Sequence, residues 1–206
     1  MEAGQSFLPG LIAACSAVIA LNADRLCLLD QEIGDGDHGT NMRRGCEAVF
    51  EERDMLAGLP LPQALERVGM TLVMSVGGAS GPLYGTLLVE LGRGLAGEEP
   101  GARQDFSSAL SRAVDAVARR GRSGAGEKTL LDVLYPVQAE VRMQSTLDSI
   151  ATEAQAAAER TVAMKAGRGR ASFLGDRSIG HMDPGACSCA LLTDAICRYL
   201  GELEGA

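Results

Sequence analysis

The sequence predicts an all-α fold, and three observations support this prediction. Ala and Leu are abundant among the 206 residues, aromatic residues make up only 3%, and apolar residues recur at helical spacing along most of the chain. Strands use more β-branched and aromatic residues than this, and we find no convincing strand pattern. The length fits one domain, which we expect to span residues 1–206.

The first predicted helix contains the apolar run FLPGLIAACSAVIAL. Glu2 precedes this run, and Lys and Arg are missing there, so the positively charged start of a signal peptide is not present. We therefore expect a core helix, and no segment with the roughly 18–20 apolar residues of a membrane span. The eight segments with helical periodicity are residues 6–29, 40–55, 61–76, 81–96, 105–120, 129–143, 147–166 and 184–202.

Several of these helices begin at recognisable capping residues. Ser80–Pro82 precedes the fourth segment, Asp105 the fifth and Asp183–Pro184 the last, while Thr129–Asp132 has the form of a capping box. Most connections are short, as antiparallel helical neighbours require. The exception is AGRGRASFLGDRSIGHMDPGA, residues 166–186, and a loop of this length in a compact domain predicts a functional role.

Charge and cysteine content exclude several classes of function. A net charge of -8 and a pI near 4.8 leave no basic surface for a nucleic-acid partner. The six cysteines form no Cys-x-x-Cys pair, and two histidines are too few to complete zinc sites with them. We expect reduced, buried cysteines and therefore a cytoplasmic protein, with no membrane partner.

The stretch LLDQEIGDGDHGTNM, residues 28–42, places Asp30, Asp35 and Asp37 close together on a glycine-flexed loop. Three neighbouring carboxylates repel one another, so a packed arrangement requires a cation. Hard oxygen ligands suit Mg²⁺ or Ca²⁺. An EF-hand is excluded because the twelfth position counted from Asp35 is Cys46.

Two Mg²⁺ ions among three carboxylates keep a net positive charge, which would attract phosphate oxygens. The helix that follows the loop would direct its unpaired N–H groups at the same phosphates. The structural alternative is that Asp35 and Asp37 only cap this helix, with Asp30 a solvated surface residue.

Two further glycine-rich turns precede predicted helices. SVGGASGPLYG, residues 75–85, offers a second anion-accepting helix start, although small residues there also permit close helix packing. GRSGAGEKT, residues 121–129, differs from a P-loop because Glu127 separates Gly126 from Lys128, and because a helix precedes it. Lys128 lies near a nucleotide or is a solvated charge.

The long loop also offers cations, and the apolar stripes offer core residues. Arg177 and His181 are candidates for phosphate or ribose contacts, with less support for Arg168 and Arg170. The apolar residues that we interpret as core include Met70, Met74, Leu87 and Leu88.

Taken together, GDGDHGTNM, SVGGASGPLYGT, GEKTLLDV and GRASFLGDRSIGHMDPGA resemble the nucleotide-binding L subunit of dihydroxyacetone kinases, the DhaL family. The likeness runs in the same order from about residue 5 to residue 200. It implies a closed barrel of eight antiparallel amphipathic helices with the nucleotide at one rim. It also implies two Mg²⁺ ions held by three aspartates, which match Asp30, Asp35 and Asp37.

The resemblance also implies the nucleotide contacts and a catalytic role for Arg177. The contacts implied for ADP or ATP are His38, Gly39, Thr40, Asn41, Ala79, Ser80, Gly121, Leu130, Arg177, Asp183, Pro184 and Gly185. Position 130 is Leu where relatives carry Met, and either side chain supplies an apolar wall to a base.

Partner chains would complete the active site. In the family, a separate K subunit binds dihydroxyacetone, and in the phosphotransferase-system type a phosphohistidine-bearing M subunit rephosphorylates bound ADP. The resemblance favours the phosphotransferase-system type. It is also compatible with a homodimer of this chain. The alternatives are an ATP-exchanging kinase subunit for dihydroxyacetone or another ketose, and a nucleotide-sensing regulatory subunit.

Overall fold

The structure, a computed structural model, describes residues 7–96 and 103–205, with the side chains of residues 103–105 left out. No β-strand occurs within these ranges, so the all-α prediction is confirmed. The helices are α1 (Leu8–Ile33), α2 (His38–Glu51), α3 (Arg53–Ala57), α4 (Leu61–Ser75), α5 (Ser80–Leu95), α6 (Arg103–Gly121), α7 (Leu131–Arg142), α8 (Leu147–Arg160) and α9 (Pro184–Glu204). Two 3₁₀ helices, Thr161–Ala163 and Arg170–Ser178, lie between α8 and α9.

The predicted segments match these helices with three main differences. Helix α1 continues past the predicted residue 29 and ends at Ile33, so Asp30 lies in its last turn and not on the loop. Segment 40–55 is divided into α2 and the short α3, and α8 ends at Arg160 instead of residue 166. At the end of α8, the hydroxyl of Thr161 donates to the carbonyl oxygen of Ala158 at 2.6 Å, a local bond that competes with continuation of the helix. Helix α6 begins two residues before Asp105, whose side chain, predicted as a cap, lies outside the described residues.

The long helices contact one another in chain order. Helix α1 packs on α2, α2 on α4, and each later helix on the next, until α9 returns to α1. Short turns such as 34–37 and 76–79 join these neighbours. This order of contacts is the one expected for the closed barrel that the resemblance implies, and closure of the barrel stays a prediction.

The centre of the fold is aliphatic. Ile19, Leu26, Met42, Val114 and Val133 are almost completely buried, and each such side chain contributes about 1.5–3 kcal/mol through burial. Small residues bring helices close together: a Cβ at Gly69 of α4 would lie 2.7 Å from the carbonyl oxygen of Gly85 of α5.

The prediction that Met70 and Met74 belong to the core is wrong. Their exposed fractions are 50% and 71%, while Ala64 and Leu72 on the opposite face of α4 are buried. Both faces of α4 carry apolar residues, so the sequence could not show which face packs inward. Leu87 and Leu88, from the same set, are partly buried against the core.

Helix α1 is long and apolar enough, by length and composition alone, to cross a membrane. The expectation that no segment reaches this length was therefore too strict. Core helices of soluble proteins pass the same test, and α1 contacts α2 and α9 along one side. Leu21 and Leu28 lie exposed on its other side.

Candidate functional site

A cleft of about 450 Å³ lies where several helices meet end to end. The C-terminal ends of α1 and α6 line it, together with the N-terminal ends of α2, α5, α7 and α9 and residues 168–171. Helix N-termini carry unpaired N–H groups and the positive end of the helix dipole. Their convergence makes the cleft suited to an anion such as a phosphate group.

Asp30, Asp35 and Asp37 lie at one end of this cleft. Each offers a carboxylate oxygen, and the three oxygens lie within 4.8 Å of one another. The turn requires its glycines, since a Cβ at Gly34 would lie 2.1 Å from Oδ1 of Asp30, and Gly36 has a φ of +79°. An all-oxygen cluster of this size fits a hard divalent cation such as Mg²⁺.

The carboxylate of Asp30 caps helix α2. Its Oδ2 accepts the backbone N–H groups of Asp37 at 2.9 Å and His38 at 3.2 Å. Asp37 is the residue before the helix, but its own carboxylate makes no capping bond within the described residues. The alternative interpretation, in which Asp35 and Asp37 only cap the helix and Asp30 is a solvated surface residue, is therefore wrong. Asp35 and Asp37 are exposed, and neither carboxylate is used to cap α2.

Residues 164–183, which we call the arginine segment, cross beside the three carboxylates. Arg170 lines the cleft and forms a salt bridge with Asp35. Arg168 also lines the cleft and pairs with Glu127 at 3.4 Å. The guanidinium of Arg170 thus occupies a position beside Asp35 where a cation is favourable.

The cleft brings together most of the residues that the sequence predicts as site residues. Those that line it are Asp30, Asp35, Asp37, His38, Asn41, Ala79, Ser80, Gly121, Leu130, Asp183, Pro184 and Gly185. Three predicted contacts, Gly39, Thr40 and Arg177, lie outside the lining formed by the described residues. Gly39 packs against the backbone of α1, Thr40 contacts the Sγ atom of Cys27 at 3.5 Å, and Arg177 is exposed on the arginine segment.

The long loop also contains His181, which lies outside the lining. Its Nδ1 atom is 3.6 Å from a carboxylate oxygen of Glu32.

Sequence reasoning missed Arg120, which lines the cleft from the last turn of α6. The basic pair Arg119–Arg120 directly before the glycine-rich turn at residue 121 was the available signal.

A buried chain of hydrogen bonds connects the starts of α2, α5 and α9. Nδ1 of His38 lies 3.1 Å from Oγ of Ser80, and Nε2 lies 2.9 Å from Oγ of Ser188. Ser188 in turn lies 2.8 Å from the hydroxyl of Tyr84. Burial lowers the pKa of His38 and raises the pKa of Tyr84, so both groups are held neutral. The chain fixes the position of Ser80 at the cleft.

Carboxylates also hold the starts of α7 and α9. Asp132 accepts the backbone N–H of Thr129 at 2.7 Å, which confirms the backward half of the predicted capping box. Asp183 accepts the N–H of Ala186 at 2.7 Å, as its predicted capping role requires. Burial raises the pKa of Asp183 to about 7.

A larger cavity of about 1110 Å³ lies near the other ends of α7 and α9 and the start of α8. Its charged residues include Asp194 and Arg198, which pair with each other at 2.8 Å. In the described part of the chain, the one cluster of three potential metal-ligating side chains lies in the smaller cleft. The smaller cleft is therefore the candidate functional site.

Comparisons with known proteins identify the family of this chain. The model of the DAK2 domain matches residues 32–198. The chain is 36% identical over 196 residues to the PEP-dependent dihydroxyacetone kinase, ADP-binding subunit DhaL, of Escherichia coli K12, covering 91% of this chain and 93% of that protein.

A second relative and a solved structure extend the comparison. The chain is 41% identical over 175 residues to the PEP-dependent dihydroxyacetone kinase 1, ADP-binding subunit DhaL, of Listeria innocua, covering 85% of this chain and 86% of that protein. The crystal structure of the dihydroxyacetone kinase from C. freundii in complex with AMP-PNP and Mg²⁺ superposes with a TM-score of 0.75 at 24% identity, covering 93% of this chain and 33% of that one. This last likeness shows a shared fold.

Proposed function

The chain belongs to the DAK2 domain family, and from this premise we propose that it is the ADP-binding subunit of a dihydroxyacetone kinase. With a dihydroxyacetone-binding K subunit it transfers the phosphoryl group of bound ATP to dihydroxyacetone, giving dihydroxyacetone phosphate. ADP stays bound, and a phosphohistidine on the M subunit of the phosphotransferase system rephosphorylates it. The observation that carries this proposal is the meeting of three carboxylates and several helix N-termini in one cleft.

The metal ligands in this proposal are Asp30, Asp35 and Asp37, which hold two Mg²⁺ ions. Magnesium supplies charge neutralisation to phosphate oxygens when it is bound. The exposed carboxylates of Asp35 and Asp37 support this role, because capping of α2 is left to Asp30. Asp30 thereby links the metal ligands to the helix start that faces the phosphates.

The nucleotide would lie along the helix N-termini. Ser80 at the start of α5 and the backbone N–H groups after Ala79 are suited to phosphate oxygens. Leu130 and Val117 supply apolar surface for a base at the other side of the cleft. The remaining proposed contacts from the sequence are His38, Gly39, Thr40, Asn41, Gly121, Arg177, Asp183, Pro184 and Gly185.

Catalysis by this chain consists of positioning and charge neutralisation. Phosphoryl transfer needs in-line alignment and stabilisation of the charge on the transferred group, with little covalent chemistry on the protein. Arg170 at the cleft wall and Arg177 on the same segment are the proposed cationic contacts. A general base would come from the K subunit, which holds the acceptor hydroxyl.

Native mass spectrometry of the purified chain tests the nucleotide and metal site. We expect a mass increment of one ADP and two magnesium ions, which EDTA removes. Phosphoryl transfer is tested in the reconstituted mixture with the K subunit and dihydroxyacetone, by phosphorus NMR of the product. Retention of neither nucleotide nor magnesium, with no transfer, would overturn the proposed function.

The same reconstituted assay distinguishes the proposed function from two alternative functions. An ATP-exchanging subunit forms product with free ATP and without the M subunit, whereas the proposed type requires the M subunit. A nucleotide-sensing regulatory subunit binds ADP and forms no product with either donor. Replacing dihydroxyacetone by other ketoses in the mixture identifies the acceptor.

We also propose a single domain over residues 1–206 and a cytoplasmic location, with a homodimer as a further possibility of assembly. The contact of α9 with α1 supports one domain, because it joins the two ends of the described chain. The packing of α1 on α2 and α9 supports a core helix. Size-exclusion chromatography with light scattering measures the state of assembly.

Replacing the arginines of the segment tests their role at the phosphates. Arg170→Ala is expected to lower the rate of phosphoryl transfer by roughly 10-fold, because it removes a cation beside the carboxylate cluster whose charge is partly screened by solvent. Arg177→Ala is expected to have a smaller effect, since its side chain lies outside the cleft lining of the described residues. Both rates are measured in the reconstituted mixture.

Lys165→Ala is the matched control for these variants. Lys165 lies on the same segment, and its ammonium pairs with Asp176 at 2.8 Å, outside the cleft lining of the described chain. Its rate should equal that of the wild type. Unchanged transfer in both Arg170→Ala and Arg177→Ala would contradict a role for the arginine segment.

A further inference from the structure

The side chain of Lys128 is buried, with an exposed fraction of 1% for the residue. Lys128 lies in the turn between α6 and α7, where its φ of +60° is rare for a residue other than glycine. Such a conformation persists only where surrounding contacts hold it. The surrounding contacts of Lys128 are made by its ammonium group.

The ammonium of Lys128 donates to three main-chain carbonyl oxygens. It bonds Thr161 at 2.7 Å, Met164 at 3.2 Å, and the carbonyl of His181. A lysine ammonium has three donors, so each donor has one acceptor. The carbonyl of Thr161 lies three residues before the arginine segment, that of Met164 at its first residue and that of His181 near its end, so one cation joins both ends of the segment.

Two bonds between neutral groups also join the residues at the base of the arginine segment. Gly180 N–H donates to the carbonyl of Val162 at 2.8 Å, and Asp183 N–H donates to the hydroxyl of Thr161 at 3.0 Å. Bonds with a charged donor contribute more than neutral ones. Lys128 thus adds three bonds from one buried cation to those of Glu127, which accepts the N–H of Gly167 at 3.0 Å and pairs with Arg168 at 3.4 Å.

Removing the charge would leave three carbonyl oxygens without their donor. Buried acceptors that lose a partner cost free energy, which the segment recovers by opening to water. The segment carries Arg170, whose guanidinium lies beside Asp35. An open base would release this arginine from the cleft wall.

We propose that Lys128 is a positioning residue, which closes the base of the arginine segment and so holds Arg170 at the cleft. The role of Arg170 at the phosphates rests on the proposed function, whereas the closure of the segment does not. Lys128 itself lines the cleft, but its ammonium is engaged by three main-chain carbonyl oxygens, so in this proposal it acts on the reaction through Arg170. The GEKT sequence, which does not fit a P-loop, thus supplies the lysine that holds the base of the arginine segment.

Hydrogen–deuterium exchange of the ligand-free full chain tests the closure. In Lys128→Met we expect amides within residues 164–183 to exchange at least 10-fold faster than in the wild type, while those of α4 and α5 are unchanged. Lys165→Met is the matched control, because this exposed lysine lies on the same segment and should leave exchange unchanged. Wild-type exchange within residues 164–183 of Lys128→Met would overturn the proposal.

A milder variant covers the case in which Lys128→Met does not fold, as judged by circular dichroism. Lys128→Gln keeps two donors on a shorter neutral side chain, and we expect faster exchange confined to the same residues. If exchange in Lys128→Gln rises throughout the chain, or does not rise at all, the proposal is wrong.

A double-mutant cycle tests whether Lys128 acts through Arg170. The rate of phosphoryl transfer is compared among Lys128→Met, Arg170→Ala and the double variant in the reconstituted mixture. We expect the double variant to be no slower than Arg170→Ala, because the arginine is already misplaced without the lysine. Losses that multiply would overturn the positioning role. A wild-type chain without transfer would instead contradict the proposed function, and the exchange experiment would still decide the closure.

Discussion

Replacing Asp35 or Asp37 with Asn is expected to abolish magnesium-dependent nucleotide binding while the helical content stays unchanged. Each substitution removes one negative charge from a cluster whose oxygens lie within 4.8 Å of one another. The loss in ADP affinity should be on the order of 100-fold or more, which corresponds to about 2.7 kcal/mol. Calorimetric titration with ADP in the presence of Mg²⁺ measures it, and circular dichroism measures the helical content.

Asp115→Asn is the matched control, since Asp115 is exposed on α6, outside the cleft lining, and its substitution changes the net charge equally. Asp30→Ala should differ from both other variants. Asp30 caps α2, so its removal should also lower the free energy of unfolding by about 1–2 kcal/mol. Tight magnesium-dependent ADP binding in Asp35→Asn and Asp37→Asn would contradict the proposed metal site.

Replacing Gly39 with Ala is expected to destabilise the fold even without any ligand. A Cβ at this position would lie 1.8 Å from the carbonyl oxygen of Ala23 and 3.0 Å from the backbone nitrogen of Cys27. Both atoms belong to the backbone of α1, so α1 and α2 must move apart. We expect a loss of about 3 kcal/mol or more in the free energy of unfolding, and a Tm lower by roughly 6–12 °C.

Urea denaturation in EDTA checks this expectation, because it excludes any contribution from bound magnesium or nucleotide. Gly201→Ala is the matched control: the nearest atom to its Cβ would be Cδ1 of Leu147 at 4.0 Å, and Gly201 lies within α9. Ala there should raise stability by about 0.5–1 kcal/mol. A Gly39→Ala protein of wild-type stability that no longer binds ADP would show that Gly39 acts on the nucleotide and not on helix packing.

The sequence predicted the helices well because their apolar periodicity is a local property. The same holds for Asp183 and Asp132, whose capping bonds join residues three positions apart. It also predicted the cluster of three carboxylates, because residues so close in the chain must be close in space, although Asp30 lies in the last turn of α1 and not on the loop. The sequence could not predict whether Met70 and Met74 belong to the core, because their burial depends on which helices pack against α4.

Residues far apart in the chain were the hardest to predict. Tyr84 and Ser188 carry no local signal, yet they hold His38 through bonds that span more than 100 positions. The sequence favoured Arg177 over Arg170 as a phosphate contact. Both arginines lie in the 3₁₀ helix Arg170–Ser178, but among the described residues only Arg170 lines the cleft. A sequence motif can indicate which segment supplies a cation, but the course of the backbone determines which residue of that segment lies at the cleft.

The amino-acid sequence by itself determined the all-α class, the positions of the helices, the acidic turn and the family, since each depends on composition or on residues that are neighbours in the chain. The tertiary structure alone decided that Asp30 caps α2 while Asp35 pairs with Arg170, that Gly39 packs against α1, and that Lys128 donates to carbonyl oxygens before, within and near the end of the arginine segment. These features depend on contacts between separate helices and loops, and such contacts exist only once the chain has folded.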